Sequence, residues 1–262
     1  MRKFMKNWFY IGLVVMAVAL AGCAKAPYTG RNQMILMDSQ QEMALGASSS
    51  KKLLQTEEVD TTSEKAQMVS RVGKRIAAAA AHPEYRWEFH TIKKDELNAF
   101  CLPGGKVFVY TGLFKAAQTE EQLAAVVGHE VAHALARHGA ERYSTQVMLQ
   151  VGQVGTAVAV GSQASPEVTQ AVLAAYGVGA SVGVMLPYSR THEYEADRIG
   201  LILMAKAGYN PESAVILWEN MAKQGGPKPP EFLSTHPADA NRIKAIKSLL
   251  PEAMQYYRPA AK

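Results

Sequence analysis

The stretch Val127-Gly128-His129-Glu130-Val131-Ala132-His133 constrains this chain more than any other part of it. Two histidines four apart share one side only on a helix. There they lie about 6 Å apart along the axis, so both imidazoles can converge on one ion. The pattern H-E-x-x-H arises by chance in roughly one chain in a hundred with this histidine content, so its surroundings decide. Those surroundings fit. Thr119 and Gln122 suit a capping box, and Leu123, Val126, Val127 and Val131 follow at helical spacing. A helix is predicted from Thr119 to about His138, with Gly139 as its terminator. Glu130 would project to the neighbouring side, within reach of a metal-bound water. His138, five residues past His133, is rotated away and is expected to cap the helix C-terminus. His82, beside a proline turn, and His90, in a predicted strand, read as surface or structural groups.

Catalytic zinc takes three protein ligands and keeps a fourth position for water, so one ligand must come from elsewhere. The stretch Thr191-His192-Glu193-Tyr194-Glu195-Ala196-Asp197 offers candidates. At about 100° per residue, Glu193 and Asp197 share a face within about 40°, whereas Glu195 lies about 200° from Glu193 and should face away. His192 and Tyr194 flank that face on either side. One of the paired carboxylates would bind the metal and the other would orient a ligand histidine through its second ring nitrogen. Helix geometry leaves open which does which.

The N-terminus reads as a targeting segment. Arg2, Lys3 and Lys6 precede an apolar run over residues 8–19, and Leu20-Ala21-Gly22-Cys23 forms a small-residue cleavage site ending in cysteine. Residues 1–22 are expected to be a removed signal peptide. The formal charge of +5 includes those three basic residues and falls to +2 without them, so the basic composition gives no reason to expect a nucleic-acid partner. Cys101 would then be the remaining thiol, with a Cys23–Cys101 disulfide as the alternative if Cys23 is not modified.

Between these landmarks the chain reads as α+β and mainly helical. Residues 24–37 look like an extended linker. Helices are predicted over 39–58 and 63–81, capped by Asp38 or Ser39 and by Ser63. Residues 86–91 and 106–111 read as strands, with Asn98-Ala99-Phe100 a third and Pro103-Gly104-Gly105 a turn. Further helices are expected over 193–207, from Asn210-Pro211 onward, and over 239–250, with 225–237 a loop. Residues 150–186 are rich in Gly, Ala and Val. Several glutamines, Pro166 and Glu167 interrupt them, so a lid or packed helical insertion is preferred to a membrane hairpin. One domain over residues 38–262 is the expected organisation.

Several motifs together resemble one known family. They are N-A-F-C-L-P-G-G-K from Asn98, H-E-V-A-H from His129, S-R-T-H-E-Y-E-A-D from Ser189, A-G-Y-N-P from Ala207 and T-H-P from Thr235. In order and spacing they are similar to the HtpX, BepA and LoiP group of zinc proteases, related to the CAAX prenyl proteases and to a mitochondrial inner-membrane stress protease. The resemblance covers most of the chain after the signal and is greatest to the LoiP-type lipoproteins. It implies a gluzincin-like fold with a small mixed β-sheet beside the H-E-x-x-H helix and one zinc ion per chain. It assigns Glu193 as the third ligand beside His129 and His133, with Asp197 behind His129. It also brings His236 and Arg242 near the metal: His236 to stabilise the oxyanion or to ligate zinc at rest, Arg242 to hold substrate or a carboxylate. L-A-G-C resembles the bacterial lipobox, which implies lipidation of Cys23 after cleavage, and Ala24 then implies sorting to the outer membrane, facing the periplasm.

The expected chemistry follows. Glu130 takes a proton from zinc-activated water and passes it to the leaving amine. Asn98, Ala99 and Phe100 would pair with an extended peptide as an edge strand, which favours unfolded polypeptides as substrates. The implied function is a membrane-tethered zinc endopeptidase that removes misfolded or unassembled envelope proteins. The alternative is a largely latent protease that serves as a chaperone or assembly factor for outer-membrane proteins.

Overall fold

The computed structural model describes residues 23–224 and 230–259. The expected signal peptide lies outside the described residues. Strands β1 (Cys23–Lys25) and β2 (Asn32–Met34) pair antiparallel. The residues expected as a linker thus fold back on themselves, through a turn in which Gly30 N donates to the Ala26 carbonyl at 3.0 Å. Next come α1 (Ser39–Thr56), β3 (Val59–Asp60), α2 (Glu64–Ala80), β4 (Glu88–Ile92), β5 (Ala99–Leu102), β6 (Lys106–Tyr110) and a 3-10 turn at Thr111–Lys115. The H-E-x-x-H helix is α3 (Glu120–Leu135). It is followed by α4 (His138–Gly161), α5 (Pro166–Ala180), a π turn (Ser181–Met185), α6 (Leu186–Lys206), α7 (Glu212–Lys223), α8 (Glu231–Thr235) and α9 (Ala240–Met254).

Within and beside the stretch expected as a single domain over residues 38–262, the described residues group into two compact units. One holds residues 23–39 and 137–187, the other residues 40–136, 188–224 and 230–259. In the first, β2 is tied to α4 locally: Arg31 forms a two-pronged ion pair with Glu141 at 2.6 and 2.7 Å, and Leu36 N donates to Ser144 Oγ at 2.8 Å. The segment expected as a lid or packed insertion is helical. Its α4 and α5 contact each other, and Tyr176 in α5 donates to the Leu149 carbonyl in α4 at 2.9 Å.

The second unit is built on a four-stranded sheet of order β3-β4-β6-β5, in which β4 and β6 run parallel and the other pairs antiparallel. All five residues of β6 are buried, as befits a central strand. Gly104 and Gly105, at φ 74° and 86°, make the turn that leads from β5 into β6. Both α2 and β5 pack against α3. The core joins Val72 and Ile76 of α2, Val107 and Val109 of β6, Leu123, Val127 and Val131 of α3, and Leu217 and Trp218 of α7.

Two local expectations change. The H-E-x-x-H helix stops at Leu135, and the chain turns at Arg137, which adopts a left-handed conformation at φ 56°. His138 therefore opens the next helix, buried, instead of capping the previous one at Gly139. The expected loop over 225–237 contains the short helix α8, whose end delivers His236.

Candidate metal centre

Helices α3, α6 and α9 and the end of α8 carry the candidate residues of the centre, all of them in the second unit. Thr119 caps α3 by accepting from Gln122 N at 3.2 Å, and Gln122 Oε1 accepts from Gln118 N at 2.7 Å, so the helix start is doubly held. Two turns further on, α3 presents His129, Glu130 and His133. Helix α6 presents Glu193 and Asp197 from the same face, as their spacing requires. Its close approach to α3 depends on two glycines. A Cβ on Gly128 would lie 2.9 Å from the Gly200 carbonyl oxygen, and one on Gly200 would lie 2.9 Å from His129 N. A helical glycine costs about 1 kcal/mol relative to alanine, so these two mark a required backbone contact beside the motif.

The donor atoms of His129, His133, Glu193 and His236 all lie within 4.8 Å of one another. His129 Nε2 is 3.0 Å from His133 Nε2 and 3.3 Å from Glu193 Oε2, and His133 Nε2 is 3.4 Å from Glu193 Oε1. Four ligands about 2.0 Å from a tetrahedral zinc stand roughly 3.3 Å apart, so the set fits one such ion. Two neutral imidazoles and one carboxylate are also a donor set that zinc takes. His236 Nδ1 is 2.9 Å from Glu193 Oε2 and 3.2 Å from His129 Nε2, within the same cluster. Glu130 is buried beside it, with Oε1 at 3.6 Å from His236 Nε2.

A second layer of groups fixes the first. Asp197 Oδ1 is 2.9 Å from His129 Nδ1, the ring nitrogen facing away from the cluster. Arg242, only 3% exposed, donates from Nε and Nη2 to the two oxygens of Asp197, each at 2.8 Å, and its Nη1 lies 3.0 Å from Glu193 Oε2. Of the two roles the resemblance implied for Arg242, its contacts are those of a clamp on carboxylates. Its guanidinium lies flat on Trp218, 3.6 Å from the ring centroid, and Trp218 stacks on Phe232, which packs against His236. Trp218 and Phe232 are site residues that the sequence reading missed. They lie outside the motifs, and their apolar character alone assigns them to the core.

Charge balance follows from this packing. Burial opposes the charged form of Glu130 and pushes its carboxyl above the usual range. Burial likewise opposes charge on Glu193, but hydrogen bonds from His129, His133 and His236 outweigh it and hold that carboxyl far below its ordinary value. For Asp197 burial is outweighed by Arg242, and its pKa is lowered. Burial would depress the His129 imidazole, yet hydrogen bonds to Asp197 and Glu193 raise it to about 9.

Glu195 and His192 of the second motif are buried too, and neither is among the four residues whose donor atoms converge. Asn98 precedes β5, which lies at the edge of the sheet and contains Ala99 and Phe100. Asn98 O accepts from Tyr110 N at 3.0 Å, so the pairing with β6 begins there. Cys101 on the same strand is a free thiol.

A helix bearing two histidines and a glutamate, completed by a carboxylate from a second helix, defines a gluzincin-like metallopeptidase domain. The chain belongs to Peptidase family M48, whose model matches residues 63–250, a family of zinc metalloproteases. Among its relatives is the mitochondrial metalloendopeptidase OMA1 of Schizosaccharomyces pombe, 41% identical over 187 residues, covering 71% of this chain and 53% of that protein. The human metalloendopeptidase OMA1 is 29% identical over 258 residues, covering 93% of this chain and 49% of that one. The beta-barrel assembly-enhancing protease of Escherichia coli is 32% identical over 183 residues, covering 68% of this chain and 37% of that one. The chain thus spans about half or less of the length of these relatives.

Proposed function

We propose that this chain is a zinc endopeptidase of the cell envelope, tethered by a lipidated Cys23, that cleaves misfolded or unassembled proteins. The observation that carries the reading is the convergence of His129, His133 and Glu193 at tetrahedral spacing with the buried carboxyl of Glu130 beside them. His129, His133 and Glu193 would hold the ion. When bound, zinc supplies Lewis acidity, which acidifies water and polarises the scissile carbonyl. Glu130 Oε1 accepts the proton of the attacking water and returns it to the leaving amine, a task suited to a carboxyl whose pKa burial has raised. Asp197 fixes the tautomer and orientation of His129, and Arg242 keeps Asp197 ionised and holds both Asp197 and Glu193 in place. The substrate pairs with the edge of β5, which packs against α3, and this favours extended or unfolded chains.

The cell-envelope location rests on the lipobox-like Leu20-Ala21-Gly22-Cys23, and Ala24 favours the outer membrane facing the periplasm. The name of the beta-barrel assembly-enhancing relative supports outer-membrane assembly machinery as a partner. The test combines metal analysis with casein cleavage. One zinc per chain and cleavage lost in Glu130→Gln is the expected result. Absence of bound zinc in the folded protein would end the reading.

A second reading has its own observation. With His236 in the cluster, four donors would suffice for a tetrahedral ion and leave no position for water. The protease is then latent at rest, and its work on outer-membrane proteins is that of a chaperone. His236→Ala separates the two: cleavage that rises marks His236 as a plug, and cleavage that falls marks it as a stabiliser of the oxyanion.

A further inference from the structure

The proposed chemistry leaves the α4–α5 hairpin of the first unit unused. From residue 143 to residue 189, between Arg142 and Arg190, the sequence carries one charged side chain, Glu167. A helix that faces water normally keeps a polar side toward it. Here α5 buries none of its residues, and α4 buries only residues of its first turns, the last being Thr145. Beyond them Val151, Val154 and Val158, spaced three and four apart, form an outward stripe exposed by 53%, 64% and 68%. Val178 and Val182 add a second, at 65% and 60%. Large apolar side chains exposed in stripes along two neighbouring helices mark an interaction site.

Several observations agree on what covers it. Residues 143–161 and 166–185 each rise roughly 30 Å at 1.5 Å per residue, the thickness of a bilayer's hydrocarbon core. The helical stretch Pro166–Lys206 is long and apolar enough to cross a membrane. Four hydroxyls of the hairpin donate to its own backbone carbonyls. Thr156 donates to the Gly152 carbonyl at 2.8 Å, Ser162 to Ala159 at 3.0 Å, Thr169 to Ser165 at 3.0 Å, and Tyr176 reaches across to Leu149 at 2.9 Å. Hydrocarbon demands this and water does not. Gly152 lies under Tyr176, a small residue at the helix contact of the kind that lets helices meet in lipid. Five glutamines interrupt the run, but none is charged. The arginines bracketing the segment suit the headgroup level. The proposed tether agrees: Cys23 begins β1 of this same unit, and Arg31 and Leu36, on either side of β2, are bonded to the base of α4.

We propose that the α4–α5 hairpin inserts into the acyl region of a lipid bilayer and attaches this unit to the membrane independently of Cys23. The test uses the full chain with vesicles of phosphatidylethanolamine and phosphatidylglycerol. A nitrobenzoxadiazole-bearing residue replaces Val154, Val178 or, as a reference in the second unit, the exposed Ile216. Emission at 154 and 178 should shift to the blue on adding vesicles. Lipids spin-labelled along the acyl chain should quench it at least threefold more than at 216. Water-like emission at both hairpin positions overturns the proposal. A shift that needs no vesicles and grows with protein concentration also overturns it, and assigns the stripe to a second copy of this chain. Val154→Asp with Val158→Asp, both at exposed positions, should leave the circular dichroism unchanged and abolish quenching at 178. Quenching that persists at 178 in that variant overturns the insertion of the two helices as one hairpin. Casein cleavage is not a readout here, so this proposal and the proposed enzymatic function fail separately.

Discussion

Helices α3 and α5 are similar in length and both rich in Val and Ala, but they meet opposite surroundings. In α3 thirteen of sixteen residues are buried, whereas in α5 none of fifteen is. Apolar content therefore does not decide what a helix does here; the partners available to it do. Helix α3 has α2, β5 and α7 around it, and in that enclosure a few polar groups can be held in fixed array. One chain of contacts runs through that array: His129 meets Asp197, Asp197 meets Arg242, and Arg242 lies over the face of Trp218. Helix α5, among the described residues of its own unit, packs on α4 and the π turn that follows it, and leaves its valines outside.

Substitutions that treat the two helices alike should sharpen this contrast. The largest effect belongs to Val127→Asp, which buries an unpaired carboxylate in the core. Its cost of several kcal/mol is comparable to the whole stability of a domain, so the purified chain should lack a cooperative thermal transition. Arg242→Leu follows. It keeps the bulk over Trp218 but strands Asp197 and Glu193, and should lower stability by about 3–5 kcal/mol in urea unfolding. Asp197→Asn removes a charge that orients His129. Zinc affinity, measured by competition with a chelator, should fall about 10–100-fold while the fold remains. The smallest effect is that of Val178→Asp in α5, expected within about 0.5 kcal/mol in water without lipid. A large loss there would break the comparison, because it would mean that the stripe is packed after all.

The site was legible in the sequence to an unusual degree because helical periodicity ties spacing to direction. Four residues separate His129 from His133 and Glu193 from Asp197, and each pair emerges on one face in the structure. Caps were equally legible: Thr119, Ser63 and Asn210 accept the backbone hydrogen bonds expected of them. The turn at Arg137 was not, since an arginine in the left-handed region gives no local signal and Gly139 offered a better one. Nor was the burial of Glu195, because an angle on a helix wheel says where a side chain points and not what lies there. The fold of residues 23–34 into a hairpin was also hidden, its strands being only three residues each.

By itself the sequence determined the local geometry: which residues share a helix face, where the caps stand, and which side chains have the chemistry for a metal and a proton. The tertiary structure alone decided how α3 and α6 meet at Gly128 and Gly200, that Arg242 and Trp218 close the back of the site, that His236 joins the cluster, and which of two apolar helices is covered. The physical reason is range. Periodicity and capping act within a turn or two of chain, whereas burial, ion pairing and donor spacing depend on residues brought together from positions far apart in sequence.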